Sequence, residues 1–124
     1  MTFTIHQTRT TPFAELRDGY LIIRGKSVPF NYPEIYDTIQ DRMSIYMNNP
    51  EKTTRVDIFL SAINAVSKRS IISTFQLFEI MNKKGINILI NWYYQRDDDD
   101  VYELGEICKS IFELNIRMLP IEQQ

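Results

Sequence analysis

The sequence predicts an α/β protein in which an N-terminal β-hairpin leads into a mixed sheet packed with about three helices. Three observations predict it. Asp18-Gly19 stands between two β-rich arms as a two-residue hairpin turn. Three later segments repeat apolar residues at helical spacing. Short β-branched or alternating runs lie between and after them, so strands and helices take turns, which implies crossover connections and a partly parallel sheet. At 124 residues the chain is expected to form one domain over residues 1–124, with room for one core but not for two.

Residues 2–7 alternate and suit an edge strand. The hairpin arms are residues 12–16 and 20–25; the second, Tyr20-Leu21-Ile22-Ile23-Arg24, is apolar on both faces and belongs inside the sheet. A helix over 32–48 is expected to begin at Tyr32–Pro33, since proline fits a first helical turn. Ile35, Ile39, Met43 and Tyr46 share its inner face, and Asn48-Asn49-Pro50 stops it. Arg55–Leu60 reads as a strand and Ser61–Val66 as a loop. Ser67 is placed to cap a second helix over 67–84, with Ile71, Phe75 and Phe78 inward and Gly85 at its end. Ile86, Ile88, Ile90 and Trp92 alternate with Asn87, Leu89, Asn91 and Tyr93, the clearest strand of the chain. A third helix over 99–114 turns Val101, Leu104, Cys108 and Ile111 inward, and Ile116–Leu119 suits a short last strand.

Composition excludes several classes of function. Apolar residues make up 44% and charged residues 24%, as in ordinary globular proteins. A net charge of −2 provides no overall field for nucleic acid or an anionic membrane. The single cysteine, Cys108, rules out an intramolecular disulfide and fits a reducing cytosol. Met1–Gln7 lacks the basic and apolar regions of a signal peptide, and no apolar run approaches the roughly 20 residues that span a bilayer. A cytoplasmic protein with no membrane insertion is expected.

The most unusual stretch is Trp92–Glu106, where a strand ends in Tyr93 and Tyr94 and four aspartates, Asp97, Asp98, Asp99 and Asp100, precede a helix carrying Glu103 and Glu106. Two readings stay open from the residues alone. Acidic side chains stabilise a helix N-terminus by roughly 0.3–1 kcal/mol each, so the run can be a solvated cap. As a contiguous aromatic and acidic ridge, it also suits a basic protein partner. The spacing does not match a calcium loop, so no metal is expected. A small metal-dependent hydrolase using the acidic run is the remaining enzyme reading; the sequence supplies no second ligand cluster and no evident nucleophile or base for it. His6 has no sequence neighbour with which to form a dyad, and Cys108 falls on an apolar helix face, so no catalytic residue is assigned. No glycine-rich phosphate loop is present, and no cofactor is expected.

Asn64–Ser70 is the second candidate. It enters a helix, where a phosphoryl group would meet free N–H groups with Lys68 and Arg69 beside it. A plain helix cap at Ser67 explains the same residue.

These segments together resemble the SiaC family of bacterial regulatory phosphoproteins. The likeness begins at Thr11-Pro12, runs through Gly19–Ser27 and Pro29, and is strongest at Asn91-Trp92-Tyr93-Tyr94, Asp97–Asp100 and Glu103-Leu104-Gly105-Glu106. It implies a STAS-like fold and no catalysis. It further implies a partner-switching protein, phosphorylated by a Ser/Thr kinase of the SiaB type and dephosphorylated by a PP2C-type phosphatase. The unmodified form would bind a diguanylate cyclase and so act in cyclic di-GMP signalling and biofilm formation. Family members read like Asn-Thr-Ser-Ser-Ser-Lys before the second helix, with the threonine as acceptor. Here Asn64 matches the asparagine but Ala65 replaces the threonine, leaving Ser67 and Ser70 as candidate acceptors. Phe30 stands where the family has an acidic residue after Pro29. The expected partner surface comprises Asn64, Lys68, Arg69, Tyr93, Tyr94, Asp97–Asp100, Glu103 and Glu106. If neither serine is an acceptor, the protein is a constitutive binding module.

Overall fold

The computed structural model describes residues 2–31 and 33–122. Its elements run β1 (Phe3–Ile5), β2 (Phe13–Arg17), β3 (Tyr20–Ser27), α1 (Glu34–Tyr46), β4 (Thr53–Ile63), α2 (Ala65–Lys83), β5 (Asn87–Gln95), α3 (Asp99–Ile111) and β6 (Asn115–Ile121). The six strands form one sheet in chain order, β1-β2-β3-β4-β5-β6. The first two pairings are antiparallel and the last three parallel. The expected hairpin is present, with Gly19 at φ +79 supplying the left-handed residue of its turn.

Each crossover moves one strand further in the same direction. A right-handed connection repeated that way puts every helix on the same side. Burial agrees: Leu21, Ile23, Val56, Ile58, Leu60, Ile88, Ile90, Trp92 and Ile116 join inner residues of all three helices in one core. The alternate residues of these strands form a second face that no element among the described residues covers.

Trp92 is fully buried at the centre of the covered face. Its indole N–H donates to the Val101 carbonyl at 3.0 Å, and its ring meets Phe75 edge-on at 5.8 Å. Gly105 makes that closeness possible, because a Cβ there would lie 2.6 Å from the indole nitrogen and from Met118 Cε. The strand at 86–93 is therefore interior, as its alternation predicts.

Four expectations are corrected. The third helix ends at Ile111 rather than at 114, and Ile111, in its last turn, is exposed instead of facing inward. Residues 61–63 are strand, not loop. A register shift between Gly25 and Lys26 lets β3 continue pairing, with Lys26 opposite Ala62 and Ser27 opposite Ile63. The second helix consequently begins at Ala65, and its cap is Asn64, not Ser67. The first helix begins at Glu34 with Pro33 in the cap position, and the part of that expectation resting on Tyr32 lies outside the described residues. No helix is long and apolar enough to cross a membrane among the described residues.

Candidate functional site

Strand β4 passes into α2 through a single residue. Asn64 has extended backbone, and its side chain does two things: Oδ1 accepts from the Ser67 amide at 3.1 Å, and Nδ2 donates to the Pro29 carbonyl at 2.8 Å. The first bond is a normal N-cap, satisfying a donor that the helix leaves free. The second ties the start of α2 to the loop that carries Phe30, whose side chain is 91% exposed. Ala65, aligned with the family acceptor, is exposed at the first helical position.

Ser67 turns inward and is 0% exposed. Its hydroxyl donates to the Ser27 carbonyl at 2.7 Å. With that hydrogen committed, Ser27 Oγ must be the donor in the 2.6 Å contact with Ser67 Oγ, and the Tyr36 hydroxyl the donor in the 2.6 Å contact with Ser27 Oγ. Burial pushes the Tyr36 phenol up to about 12, against a smaller opposing effect of its bond to Ser27, so it keeps its proton. All three hydroxyl hydrogens are thus used in one buried chain. A phosphate on Ser67 would break that chain and meet packed protein rather than the free N–H groups expected from the sequence. Ser70 is also buried, one turn further along.

The acidic ridge begins where β5 ends. Asp98 is the N-cap of α3, its carboxylate accepting from the Val101 amide at 3.1 Å. Asp97, Asp99, Asp100 and Glu103 are exposed, and Glu106 is half-buried. Tyr94 packs edge-on against Tyr102 at 4.9 Å, and the Tyr102 phenol is raised by its hydrogen bond to Glu106. The starts of α2 and α3 lie side by side: Lys68 Nζ is 3.9 Å from Asp100 Oδ1. Two segments that are far apart in sequence thus form one surface. Tyr93 does not join it. Strand parity sends it to the open sheet face, where it stacks on Phe59 with ring centres 3.9 Å apart and planes within 6°.

A second polar cluster escaped sequence reading. Asp57, 2% exposed, lies on the open face of β4. It accepts from Tyr20 (2.8 Å), from Arg55 through Nε (3.1 Å) and Nη2 (2.8 Å), and from Asn91 (3.0 Å). Burial pulls its carboxyl up, but these bonds outweigh burial and hold it below the usual carboxylate range. Tyr20 is pushed up to about 12, first by burial and then by donating to Asp57. The one available signal was a carboxylate between Val56 and Ile58; its partners depend on the register of three strands, which sequence does not reveal.

Cys108 is buried, as its position on the helix predicts, and burial pushes its thiol up to about 12, leaving no thiolate at neutral pH. His6 is exposed, its ring at 61° to that of Phe13 with centres 6.3 Å apart. Among the described residues, no three His, Cys, Asp or Glu side chains converge as a metal site.

The family model for the SiaC family regulatory phosphoprotein matches residues 5–121. The chain belongs to that family. A curated relative, an uncharacterised protein of Pseudomonas aeruginosa, is 25% identical over 101 residues, covering 80% of each chain. Among solved structures, apo-SiaC of Pseudomonas aeruginosa aligns with a TM-score of 0.84 at 21% identity, over 96% of this chain and 98% of that one. A structure of SiaC as the activator bound to the diguanylate cyclase SiaD, from the same organism, gives 0.83 at 21% identity, over 96% and 99%. A further SiaC structure from that organism gives 0.87 at 20% identity, over 98% and 99%. At these identities the structural matches show that the fold is shared.

Proposed function

We propose that this family member is a non-catalytic cytoplasmic regulator that acts by complex formation with a signalling enzyme of the diguanylate cyclase class. The observation that supports the reading most is the joint surface at the starts of α2 and α3, where Lys68 approaches Asp100. That surface offers exposed carboxylates, an exposed aromatic at Phe30 on the neighbouring loop, and the cations Lys68 and Arg69. Related SiaC activates its cyclase in complex, which supplies the partner class. The test is cyclic di-GMP synthesis by the cognate cyclase with and without this protein. Wild type should stimulate it, and Phe30→Ala with Asp99→Asn and Asp100→Asn should reduce stimulation at least about fivefold with folding intact. Full stimulation by that variant would overturn the reading.

A SiaB-type kinase and a PP2C-type phosphatase belong to this reading as controllers of Ser67 or Ser70. For them to act, the first turn of α2 must open and expose a buried hydroxyl. The exposed methyl of Ala65 and the fully engaged hydroxyl of Ser67 favour the alternative, constitutive binding without a phosphate at this loop. Intact mass after incubation with the cognate kinase and ATP separates the two. The constitutive reading expects no added phosphate on wild type and one on Ala65→Thr; phosphate on wild type that Ser67→Ala or Ser70→Ala removes would overturn it.

A further inference from the structure

Strands β3 to β6 are parallel, and parallel sheets in proteins are characteristically covered on both faces. Here α1, α2 and α3 cover one. On the other, the half-buried Phe59, Tyr93 and Leu119 lie side by side across β4, β5 and β6, and Ile22 and Leu89 flank the Asp57–Asn91 pair next to them. A shallow hollow of about 540 Å³ runs beside them, between Arg55 on one side and Asn115 and Arg117 on the other. The Asp57 cluster fixes Tyr20, Arg55 and Asn91 in place, so this part of the face needs little ordering before it binds.

The charge on this face is opposite to that of the chain as a whole. Among the described strand residues it carries Arg17, Arg24, Arg55 and Arg117 but only two carboxylates, and each of these already faces an arginine: Glu15 bonds Arg17 at 2.6 Å, and Asp57 bonds Arg55. Arg24 lies over the Phe13 ring at 4.4 Å. Arg117 is exposed beside Leu119, with no carboxylate paired to it among the described residues.

We propose that the open sheet face is a second protein-docking surface, separate from the α2–α3 surface, and that its occupant is an amphipathic helix of a partner protein with an aliphatic stripe flanked by acidic residues. The stripe covers Phe59, Leu89, Tyr93 and Leu119, and the carboxylates meet Arg117 and the exposed side of Arg55. A second copy of this chain fits less well. Stacking two such faces would set arginine against arginine, with both carboxylates of each face already occupied.

The test uses the full-length protein and a designed helical peptide of about 18 residues, about 27 Å long, built from leucine and glutamate with an apolar stripe. Its counterpart replaces glutamate with lysine. Titration followed by backbone amide NMR at low salt should shift resonances of Phe59, Leu89, Tyr93 and Arg117 with the glutamate peptide and not with the lysine peptide. Arg117→Glu should weaken binding at least about tenfold and begin to admit the lysine peptide, whereas Asp97→Asn should leave binding unchanged. Arg117 is exposed on an edge strand, so its variant should fold, and its amide spectrum shows whether it does. Four outcomes would each overturn the proposal: no shifts, shifts confined to Asp97–Glu106, equal binding of both peptides, or a concentration-dependent dimer of wild type that Arg117→Glu abolishes. Binding of anionic vesicles in place of either peptide would overturn it as well.

Discussion

Trp92 and Tyr93 are neighbours in sequence and aromatic alike, yet they serve opposite faces of the sheet. Trp92 enters a buried interface where its indole N–H has a carbonyl partner and where even one glycine, Gly105, is fixed by contact. Tyr93 stacks on Phe59 beside a polar cluster and remains half in solvent. The covered face is set by volume and the open face by charge and hydrogen bonding. A contiguous ridge in the sequence is therefore not a contiguous surface in the fold, because strand parity divides it.

That contrast can be broken most strongly at Trp92. Trp92→Ala removes a buried indole and should cost about 3–5 kcal/mol, read as a lower urea midpoint. Gly105→Ala adds only a methyl to the same interface. Met118 Cε can yield but the indole cannot, so a loss of about 1–3 kcal/mol is expected in the same measurement. A neutral result there would mean that α3 rides over β5 more loosely than the contact implies.

On the open face, pH is the sharper tool. The Asp57 carboxyl is held below the ordinary value of about 3.9. The stability it contributes is thus fully present above that value and is lost as pH falls through the lower, folded value. Asp57→Asn should cost about 1–2 kcal/mol at neutral pH, and the gap to wild type should narrow as pH falls below the ordinary carboxylate range. A gap that is constant across that range would show that the carboxylate's charge is not what the cluster uses. The smallest effect is expected at the sheet's end. Asparagine caps helices nearly as well as aspartate, so Asp97→Asn with Asp98→Asn should change stability by no more than about 0.5 kcal/mol, measured by thermal melting. A larger loss would mean that the negative charge of the run, acting on the start of α3, contributes to stability.

Much of the fold is legible in sequence because its signals are local. Asp18-Gly19, the stripe Ile35–Ile39–Met43–Tyr46 and the alternation of Ile86–Trp92 each act over a few residues, and each element stands where its pattern puts it. The extension of β4 through Ile63 was not legible, since it depends on a register shift in the neighbouring strand. The same shift makes Ser67 a third-position helical residue instead of a cap and turns its hydroxyl toward Ser27. The Asp57 cluster draws on three strands and was hidden for a related reason. The sequence did locate both segments of the candidate surface; it could not show that Lys68 reaches Asp100 or that Tyr93 faces away.

The order of strands in the sheet is the order of strands in the chain, and this bears on how the protein assembles. Each new strand finds its partner one hairpin or one crossover helix away, so none must wait for a distant segment. The cost of closing a loop rises only slowly with its length, so each crossover costs less entropy than a pairing between more remote strands would. Growth can start at the β2–β3 hairpin, with β1 closing one edge, and add one helix and one strand at a time at the other. The last strand to join carries Pro120, which has no amide hydrogen to offer a following strand.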